Sequence, residues 1–210
     1  MSAPAERDEK ELAVLNAAVP VFLAHGFSAA TTDMIQREAG VSKATMYARF
    51  PDKEALFAAA IEARCASMTA AIQAIRVSPG DIAGTLAVIA SSYLDIILAP
   101  SSLALFRVIV AEAPRFPKLA RRFFLAGPEV VVATVRGRLD EAARAGEIDI
   151  GPVGLEAAAD LFIGMVRSQA LLECMTHPDT NPSAVQRDRW TRLAVDTFLR
   201  AFGAPGARGA

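Results

Sequence analysis

Cysteine and histidine are scarce in this chain, which limits the kinds of site that it can build. Two cysteines, Cys65 and Cys174, and two histidines, His25 and His177, occur in 210 residues. The cysteines lie far apart in apolar helical sequence without CxxC or Cys/His spacing, which predicts buried thiols in a reducing compartment, with a regulatory or intermolecular disulfide as the alternative. Because 53% of the residues are hydrophobic, the chain can build a core without covalent cross-links.

Signatures of catalysis and of membrane insertion are also missing. The sequence has no Gly-x-Ser-x-Gly turn, no metal-ligand spacing and no paired His/Asp constellation, so we predict no catalytic residue, metal or cofactor. The first eleven residues are polar and of mixed charge, unlike a signal peptide or an anchor. We read each apolar run as broken by charge, Pro or Gly before about 20 residues, the length that a bilayer requires. A cytoplasmic protein with no membrane partner is therefore expected.

The chain has no excess of basic residues, since its formal net charge is -1. Local charge is different: Lys43, Arg49 and Lys53 lie close together in sequence with only Asp52 opposing them. Such a local basic surface is sufficient for a nucleic-acid contact. The N-terminal arm is acidic on balance, so we expect no basic extension that grips a minor groove.

Helical periodicity is what the sequence has in abundance. Apolar residues recur every three or four positions and alanine is frequent, which predicts an all-α fold of nine or ten helices. The predicted helices cover about residues 9–24, 33–39, 43–50, 53–76, 82–98, 102–112, 118–144 with a bend or junction at 127–128, 153–175 and 183–202. Pro20 should kink the first helix, because proline removes one backbone hydrogen bond. The predicted domains are a small helical head at 1–52, a helical bundle at 53–203 and a disordered tail at 204–210.

The stretch from Thr31 to Phe50 predicts two short helices joined by a tight turn. Thr31 or Thr32 can cap the first helix, and Gly40 can adopt the left-handed conformation that a sharp helix exit requires. Ser42 can then cap the second helix. This is the spacing of a helix-turn-helix, whose second helix enters a major groove. The second helix carries the side chains Lys43, Thr45, Tyr47 and Arg49.

The sequence from Thr31 to Phe57, with His25-Gly26-Phe27 before it, resembles the TetR/AcrR family of bacterial one-component regulators. The run from Val41 to Glu54 is close to that family's usual recognition-helix sequence, and the Pro-rich junction at 113–117 resembles the AefR-like C-terminal subclass. The resemblance implies an all-α homodimer with two heads that bind a partly palindromic double-stranded DNA operator. It also implies a repressor that a small molecule releases from DNA. The residues that match DNA-contacting positions are Thr32, Ser42, Lys43, Ala44, Thr45, Tyr47, Arg49 and Lys53.

Apolar side chains of the predicted bundle suggest a cavity for a small hydrophobic or aromatic effector. The candidate pocket residues are Met68, Ile72, Tyr93, Ile97, Phe106, Val110, Phe124, Phe162, Val166 and Gln169. For any one of them, ordinary core packing is the alternative. Two further apolar faces could pair with a symmetry mate and so form the dimer interface. They carry Val131, Val135 and Leu139, and Leu161, Met165, Leu172 and Met175.

Two alternative interpretations remain at this point. The basic run Arg115, Lys118, Arg121 and Arg122 could make a second anionic contact, but it also fits a solvated helix start whose aliphatic stems cover apolar surface. The chain could also be a helical adaptor whose head binds a protein instead of DNA, or a helical enzyme, which the absence of catalytic motifs disfavours. Salt separates DNA binding from protein binding, since DNA binding weakens steeply as salt rises.

Overall fold

The computed structural model describes residues 4–76, 78 and 80–204, and this part of the chain is built from helices. In chain order they are α1 Pro4–Ala29, α2 Thr32–Ala39, α3 Lys43–Tyr47, α4 Lys53–Ala74, α5 Ile82–Ile97, α6 Pro100–Glu112, α7 Pro117–Ala126, α8 Pro128–Arg144, α9 Leu155–Thr176 and α10 Ala184–Phe202. One isolated antiparallel bridge joins Ile148 to Gly203 within these residues. The all-α prediction is confirmed, and 118–144 forms two helices that meet at Gly127.

The first helix differs most from its prediction. It runs from Pro4 to Ala29, and its backbone leaves helical geometry at Gly26 (φ 71°, ψ 167°) instead of at Pro20. The physical reason is that the fixed φ of proline is already helical, whereas a φ of 71° with this ψ is almost confined to glycine. The predicted kink at Pro20 was therefore misplaced, and Gly26 is the point at which the chain turns toward α2.

The chain forms two compact units. Unit 1 contains the described residues within 1–68 and 104–128, and unit 2 contains those within 69–103 and 129–210. Unit 1 therefore combines the predicted head with a segment that follows it by dozens of residues. The predicted functional boundary at residue 53 stays a prediction. Of the predicted disordered tail, Ala204 donates its N–H to the carbonyl of Glu147 at 3.0 Å, and residues 205–210 lie outside the described part.

The core of unit 1 is centred on aromatic side chains. Phe57 packs edge-on against Phe22, with ring centroids 4.7 Å apart, and lies 4.9 Å from Phe27. Phe27 in turn meets Phe116, which precedes α7, at 4.5 Å. Ring pairs at these separations add to the stabilisation that burial itself provides. The aromatic cluster thus fixes the end of α1 against α4 and the α6–α7 connection.

The core of unit 2 comes from α5, α8, α9 and α10, with Ile72 near the end of α4. Its fully buried side chains include Leu86, Val135, Leu139 and Phe162. Phe162 and Phe198 join α9 to α10, with ring centroids 5.3 Å apart. At the start of α5, the carboxylate of Glu147 accepts the N–H groups of Gly80 and Ile82 at 3.0 and 2.9 Å. A distant glutamate therefore helps to cap this helix, along with Asp81.

Within the part of the chain that the structure describes, two helices are long and apolar enough to cross a bilayer when judged by length and composition alone. The segments Asp8–Ala29 and Lys53–Ala74 have 22 residues each and mean hydropathies of 1.6 and 1.4. The prediction that every apolar run is too short was therefore wrong by this criterion. Both helices gain much of their hydropathy from alanine and from the side chains that fill the core of unit 1, among them Phe22, Leu56 and Ile61.

Candidate DNA-binding surface

Local caps define the α2–turn–α3 unit. The Thr31 side chain accepts the N–H of Met34 at 3.2 Å, so Thr31, not Thr32, caps α2. Gly40 adopts the left-handed conformation (φ 65°, ψ 27°) after α2, and the Ser42 hydroxyl accepts the N–H of Thr45 at 3.1 Å. These contacts satisfy helix-terminal N–H groups and set the turn between the helices. The predicted caps are confirmed.

The unit has a buried side and an exposed side. Ile35, Met46 and Phe50 point into the core of unit 1 and are almost completely buried. The predicted DNA contacts lie mostly on the opposite side: Ser42, Lys43, Ala44, Tyr47 and Arg49 are exposed, and Thr32, Thr45 and Lys53 are half-buried. Because α3 ends at Tyr47, Arg49 belongs to the following turn and not to the helix that was predicted to carry it.

Hydrogen bonds and ion pairs hold several of the predicted contact residues. The hydroxyls of Thr32 and Tyr47 are 2.8 Å apart, and those of Ser42 and Thr45 are also 2.8 Å apart. The Thr32–Tyr47 contact joins α2 to the end of α3. It positions an exposed phenol, 44% accessible, beside the start of α2.

Lys43 and Arg49, the exposed basic residues among the predicted DNA contacts, each have an acidic partner. The Lys43 ammonium lies 2.8 Å from a carboxylate oxygen of Asp33 in α2. Arg49 Nη1 lies 2.8 Å from the carboxylate of Glu11 in α1. The hydrogen bond from Lys43 to Asp33 raises the pKa of Lys43 above its ordinary value, so Lys43 is a cation at neutral pH.

Lys53 is anchored to the connection between α1 and α2. Its ammonium donates to the carbonyls of Ser28 and Ala30 at 3.1 and 3.0 Å and lies 4.7 Å from the centroid of the Phe27 ring. Lysine has three N–H donors, so one remains beyond these two bonds. The phosphate contact predicted for Lys53 stays a prediction.

Glu112, the last residue of α6, and Arg115, in the connection to α7, contact the same segment, and neither contact was predicted. Glu112 accepts the N–H and the hydroxyl of Ser28, both at 3.1 Å, and Arg115 donates to the Ser28 hydroxyl at 2.9 Å. Ser28 and Glu112 are 84 residues apart. No local pattern in the sequence could have paired them.

Two other residues of the basic run make contacts within unit 1. Arg122 makes two hydrogen bonds to the Glu62 carboxylate, at 2.7 and 2.9 Å. Arg121 lies 5.3 Å from the ring centroid of Phe124. Lys118 is exposed. These contacts favour the interpretation of a solvated helix whose stems cover apolar surface.

The predicted effector residues are divided between the two units. Ile72, Tyr93, Phe162 and Val166 are buried in the core of unit 2, Ile97 packs against that core, and Gln169 is exposed. Met68, Phe106, Val110 and Phe124 belong to unit 1, where Val110 and Phe124 are exposed. Two open surface cavities, one between α5 and α10 and one beside Lys53, contain none of these residues. The effector pocket stays a prediction.

The predicted dimer interface is divided in the same way between core and surface. Val131, Val135 and Leu139 of α8 pack in the core of their own unit, and their part in a dimer interface stays a prediction. On α9, Leu161 and Leu172 are exposed by 48% and 66%, while Met165 and Met175 are half-buried. Periodicity identified the apolar faces, but both the protomer core and a partner subunit select for such faces.

The comparisons with known proteins agree with this architecture. Residues 14–60 match the family described as bacterial regulatory proteins of the tetR family, and residues 84–204 match the AefR-like transcriptional repressor C-terminal domain. The second match covers more than half of the chain and confirms the predicted subclass. A comparison with curated protein sequences gave no significant match.

Solved structures extend the similarity over nearly the whole chain. The flavonoid-responsive regulator FrrA is 33% identical, with a TM-score of 0.78 and coverage of 93% of this chain and 98% of its own. A TetR transcriptional regulator from Agrobacterium tumefaciens is 26% identical, with a TM-score of 0.78 and coverage of 98% of both chains. A candidate TetR-family regulator from Mesorhizobium loti MAFF303099 has a TM-score of 0.86 at 24% identity, covering 94% of this chain and 98% of its own.

Regulators of this family are soluble proteins that bind operator DNA and small ligands and act as dimers. They are not enzymes, and their helix-turn-helix binds DNA, which removes the helical enzyme and the protein-binding adaptor as alternatives. The chain belongs to the TetR family and is a ligand-responsive, DNA-binding transcriptional regulator of the repressor type.

Proposed function

We propose that this regulator is a homodimer that blocks transcription at a partly palindromic operator and leaves the DNA when it binds a small aromatic effector. One observation carries the DNA-binding part of the proposal. The capped α2–turn–α3 unit buries Ile35, Met46 and Phe50 and exposes Lys43, Tyr47 and Arg49 on its other side.

Each exposed residue type suits a contact with DNA. Lys43 and Arg49 can neutralise phosphate or bond to the acceptor edge of guanine. Thr45 offers a hydroxyl and a methyl group, which suits the methyl group of thymine. Ala44 has too small a side chain to prevent close approach. Tyr47, held by Thr32, offers a pre-oriented phenol to a phosphate, so less side-chain freedom is lost when DNA binds.

The dimer is proposed to form through the exposed part of α9. Leu161 and Leu172 expose apolar surface there, and exposed apolar surface on a soluble protein marks an interaction site when it is contiguous. A two-fold axis would repeat this interface and present two heads to half-sites one helical turn apart, roughly 34 Å.

The relative FrrA, which is 33% identical to this chain, is named a flavonoid-responsive regulator. Its name supports an aromatic effector. The proposed pocket of this chain has Tyr93 as a polar group among apolar side chains. Burial raises the pKa of Tyr93, and Arg167 beside it opposes that rise in part. The phenol is therefore neutral at physiological pH and can exchange hydrogen bonds with hydroxyl groups of a polyphenol.

The operator is best obtained by selection of bound sequences from random DNA, followed by fluorescence anisotropy on the winning duplex. We expect the Tyr47→Ala, Arg49→Ala double variant to lose at least about tenfold in affinity, since it removes two contacts with a magnitude of about 1 kcal/mol each. Lys118→Ala is the matched control, because it removes an exposed cation of unit 1 that is not part of the surface. If the double variant binds like Lys118→Ala, the contact assignment is wrong.

The effector and the interface require separate measurements. A panel of flavonoids should weaken operator binding of the wild-type protein, and Tyr93→Phe should reduce the response to hydroxylated members of the panel more than operator affinity itself. For the interface, light scattering should find that Leu172→Glu forms monomers while Leu193→Glu, which changes an exposed leucine of α10, stays dimeric. If Leu193→Glu is monomeric and Leu172→Glu stays dimeric, the dimer interface lies on α10 and not on α9.

A further inference from the structure

The two basic side chains on the exposed face of the DNA-binding surface, Lys43 and Arg49, are each paired with a carboxylate. Arg49 is paired with Glu11, which comes from α1 and lies 38 positions earlier in the sequence. Lys43 is paired with Asp33 from α2. Each pair thus brings a carboxylate of a different helix to within 2.8 Å of a nitrogen that is proposed to meet DNA.

Stability does not explain these pairs. The side chains of Arg49 and Glu11 are 35% and 38% exposed, and those of Lys43 and Asp33 are 59% and 49% exposed. Ion pairs this open to solvent add little to the free energy of folding and weaken further with salt. They are easily exchanged for another anion, which a phosphate can supply.

The carboxylates do change the field that approaching DNA encounters. Non-specific binding comes almost entirely from the neutralisation of phosphates by basic side chains. With Glu11 and Asp33 in place, the charges of Lys43 and Arg49 are balanced locally. A loosely bound, non-specific duplex therefore meets little unbalanced positive charge at Lys43 and Arg49.

We propose that Glu11 and Asp33 are specificity-determining residues that compete with DNA for Arg49 and Lys43. Only a duplex that places a phosphate or a guanine edge in good geometry displaces the carboxylate. The operator does so, while other sequences leave the ion pairs intact. The two acids act through their basic partners, and this inference rests on the proposed DNA contacts of Lys43 and Arg49.

The test measures two affinities for each variant: one for the selected operator and one for a scrambled duplex of equal length, over a range of salt concentrations. We expect Glu11→Gln to raise affinity for the scrambled duplex about threefold, and for the operator less than twofold, so that the ratio of the two falls. The salt slope on scrambled DNA should steepen by about one. Asp33→Asn should act in the same direction, with its circular dichroism and melting temperature recorded because Asp33 also lies in the first turn of α2.

Glu62→Gln is the matched control, since Glu62 pairs with Arg122 in a similarly exposed ion pair outside the proposed contact surface. The change in DNA affinity that Glu62→Gln causes is the long-range effect of removing one negative charge. A Glu11→Gln effect no larger than that of Glu62→Gln, or an equal rise on both duplexes, would overturn the inference.

The double variant Glu11→Gln, Arg49→Ala separates failure of the inference from failure of the proposed function. If Glu11 acts through Arg49, Glu11→Gln in the Arg49→Ala background should change the affinity for scrambled DNA by no more than Glu62→Gln does. An undiminished effect there refutes the competition. If Arg49→Ala weakens operator binding but Glu11→Gln leaves both affinities unchanged, only the competition is overturned. If Arg49→Ala leaves operator affinity unchanged, the DNA contact of Arg49 is overturned, and the inference with it.

Discussion

Removal of the Glu112 carboxylate tests whether the end of α6 supports the DNA-binding unit. The Glu112 carboxylate accepts two hydrogen bonds, one from the Ser28 N–H and one from the Ser28 hydroxyl, each at 3.1 Å. Ser28 lies two residues after the glycine at which α1 breaks and three residues before the Thr31 cap of α2. Glu112→Ala would therefore free the segment that sets the start of α2.

The expected loss follows from the number and the exposure of these bonds. A net contribution of about 0.5–1.5 kcal/mol is typical of one intramolecular hydrogen bond, and water competes for this pair because the bonds lie at the surface. We therefore expect Glu112→Ala to lower the free energy of unfolding by about 1–2 kcal/mol. Glu112→Gln, which retains an acceptor, should lose less than half as much.

Urea unfolding at fixed protein concentration gives this free energy, and hydrogen exchange of the Ser28 amide reports the local bond. Glu38→Ala is the matched control, since Glu38 is an exposed glutamate on α2. In a double-mutant cycle, Ser28→Ala and Glu112→Ala should be coupled by about 0.5–1 kcal/mol. A Glu112→Ala loss no greater than that of Glu38→Ala, or strictly additive effects in the cycle, would refute the reasoning.

Three other predictions concern stability, and a fourth concerns the reactivity of the cysteines. Gly26→Ala should cost about 1–3 kcal/mol in urea unfolding, because φ 71° with ψ 167° is a conformation that is strained for any residue with a Cβ. Glu147→Ala should cost about 1–2 kcal/mol and accelerate exchange of the Ile82 amide, because it removes two bonds to the start of α5. Burial raises the pKa of the Cys65 thiol to about 11 from 9.0. Between pH 9 and 11 the folded chain therefore keeps the thiol proton that the unfolded chain releases, so the free energy of unfolding should fall as the pH rises through this range. Cys65→Ala should make that fall shallower. An unchanged slope would contradict the assignment of the pH dependence to Cys65. At pH 8 a thiol reagent should modify Cys65 and Cys174 only after unfolding.

The local features of the head could be predicted because their causes are local. A threonine or serine before a helix, and a glycine after it, satisfy helix-terminal groups within three or four residues. This is why the caps at Thr31, Gly40 and Ser42 follow from the sequence. Pro20 shows the limit of such rules, since a proline can stay in a helix when the surrounding packing compensates for its missing N–H.

The candidate site could be predicted only in part, since exposure and pairing depend on distant segments. Tyr47 was placed on the recognition helix, but its bond to Thr32 depends on the angle between two helices. Arg49 was expected on the same helix, yet the helix ends at Tyr47. The contact from Glu112 to Ser28 joins segments 84 residues apart. Only the packed fold brings such side chains together.

The sequence alone determined the all-helical fold, the capped helix-turn-helix and the family, because periodicity, caps and a contiguous motif are properties of neighbouring residues. The tertiary structure decided which apolar faces are core and which are surface: Val135 and Leu139 are buried, while Leu172 of the next helix is exposed. It also decided that Glu11 and Asp33 face the basic side chains of the DNA-binding surface. The reason is the same in both cases: apolar character and charge are written residue by residue, but what each side chain meets depends on how the helices pack.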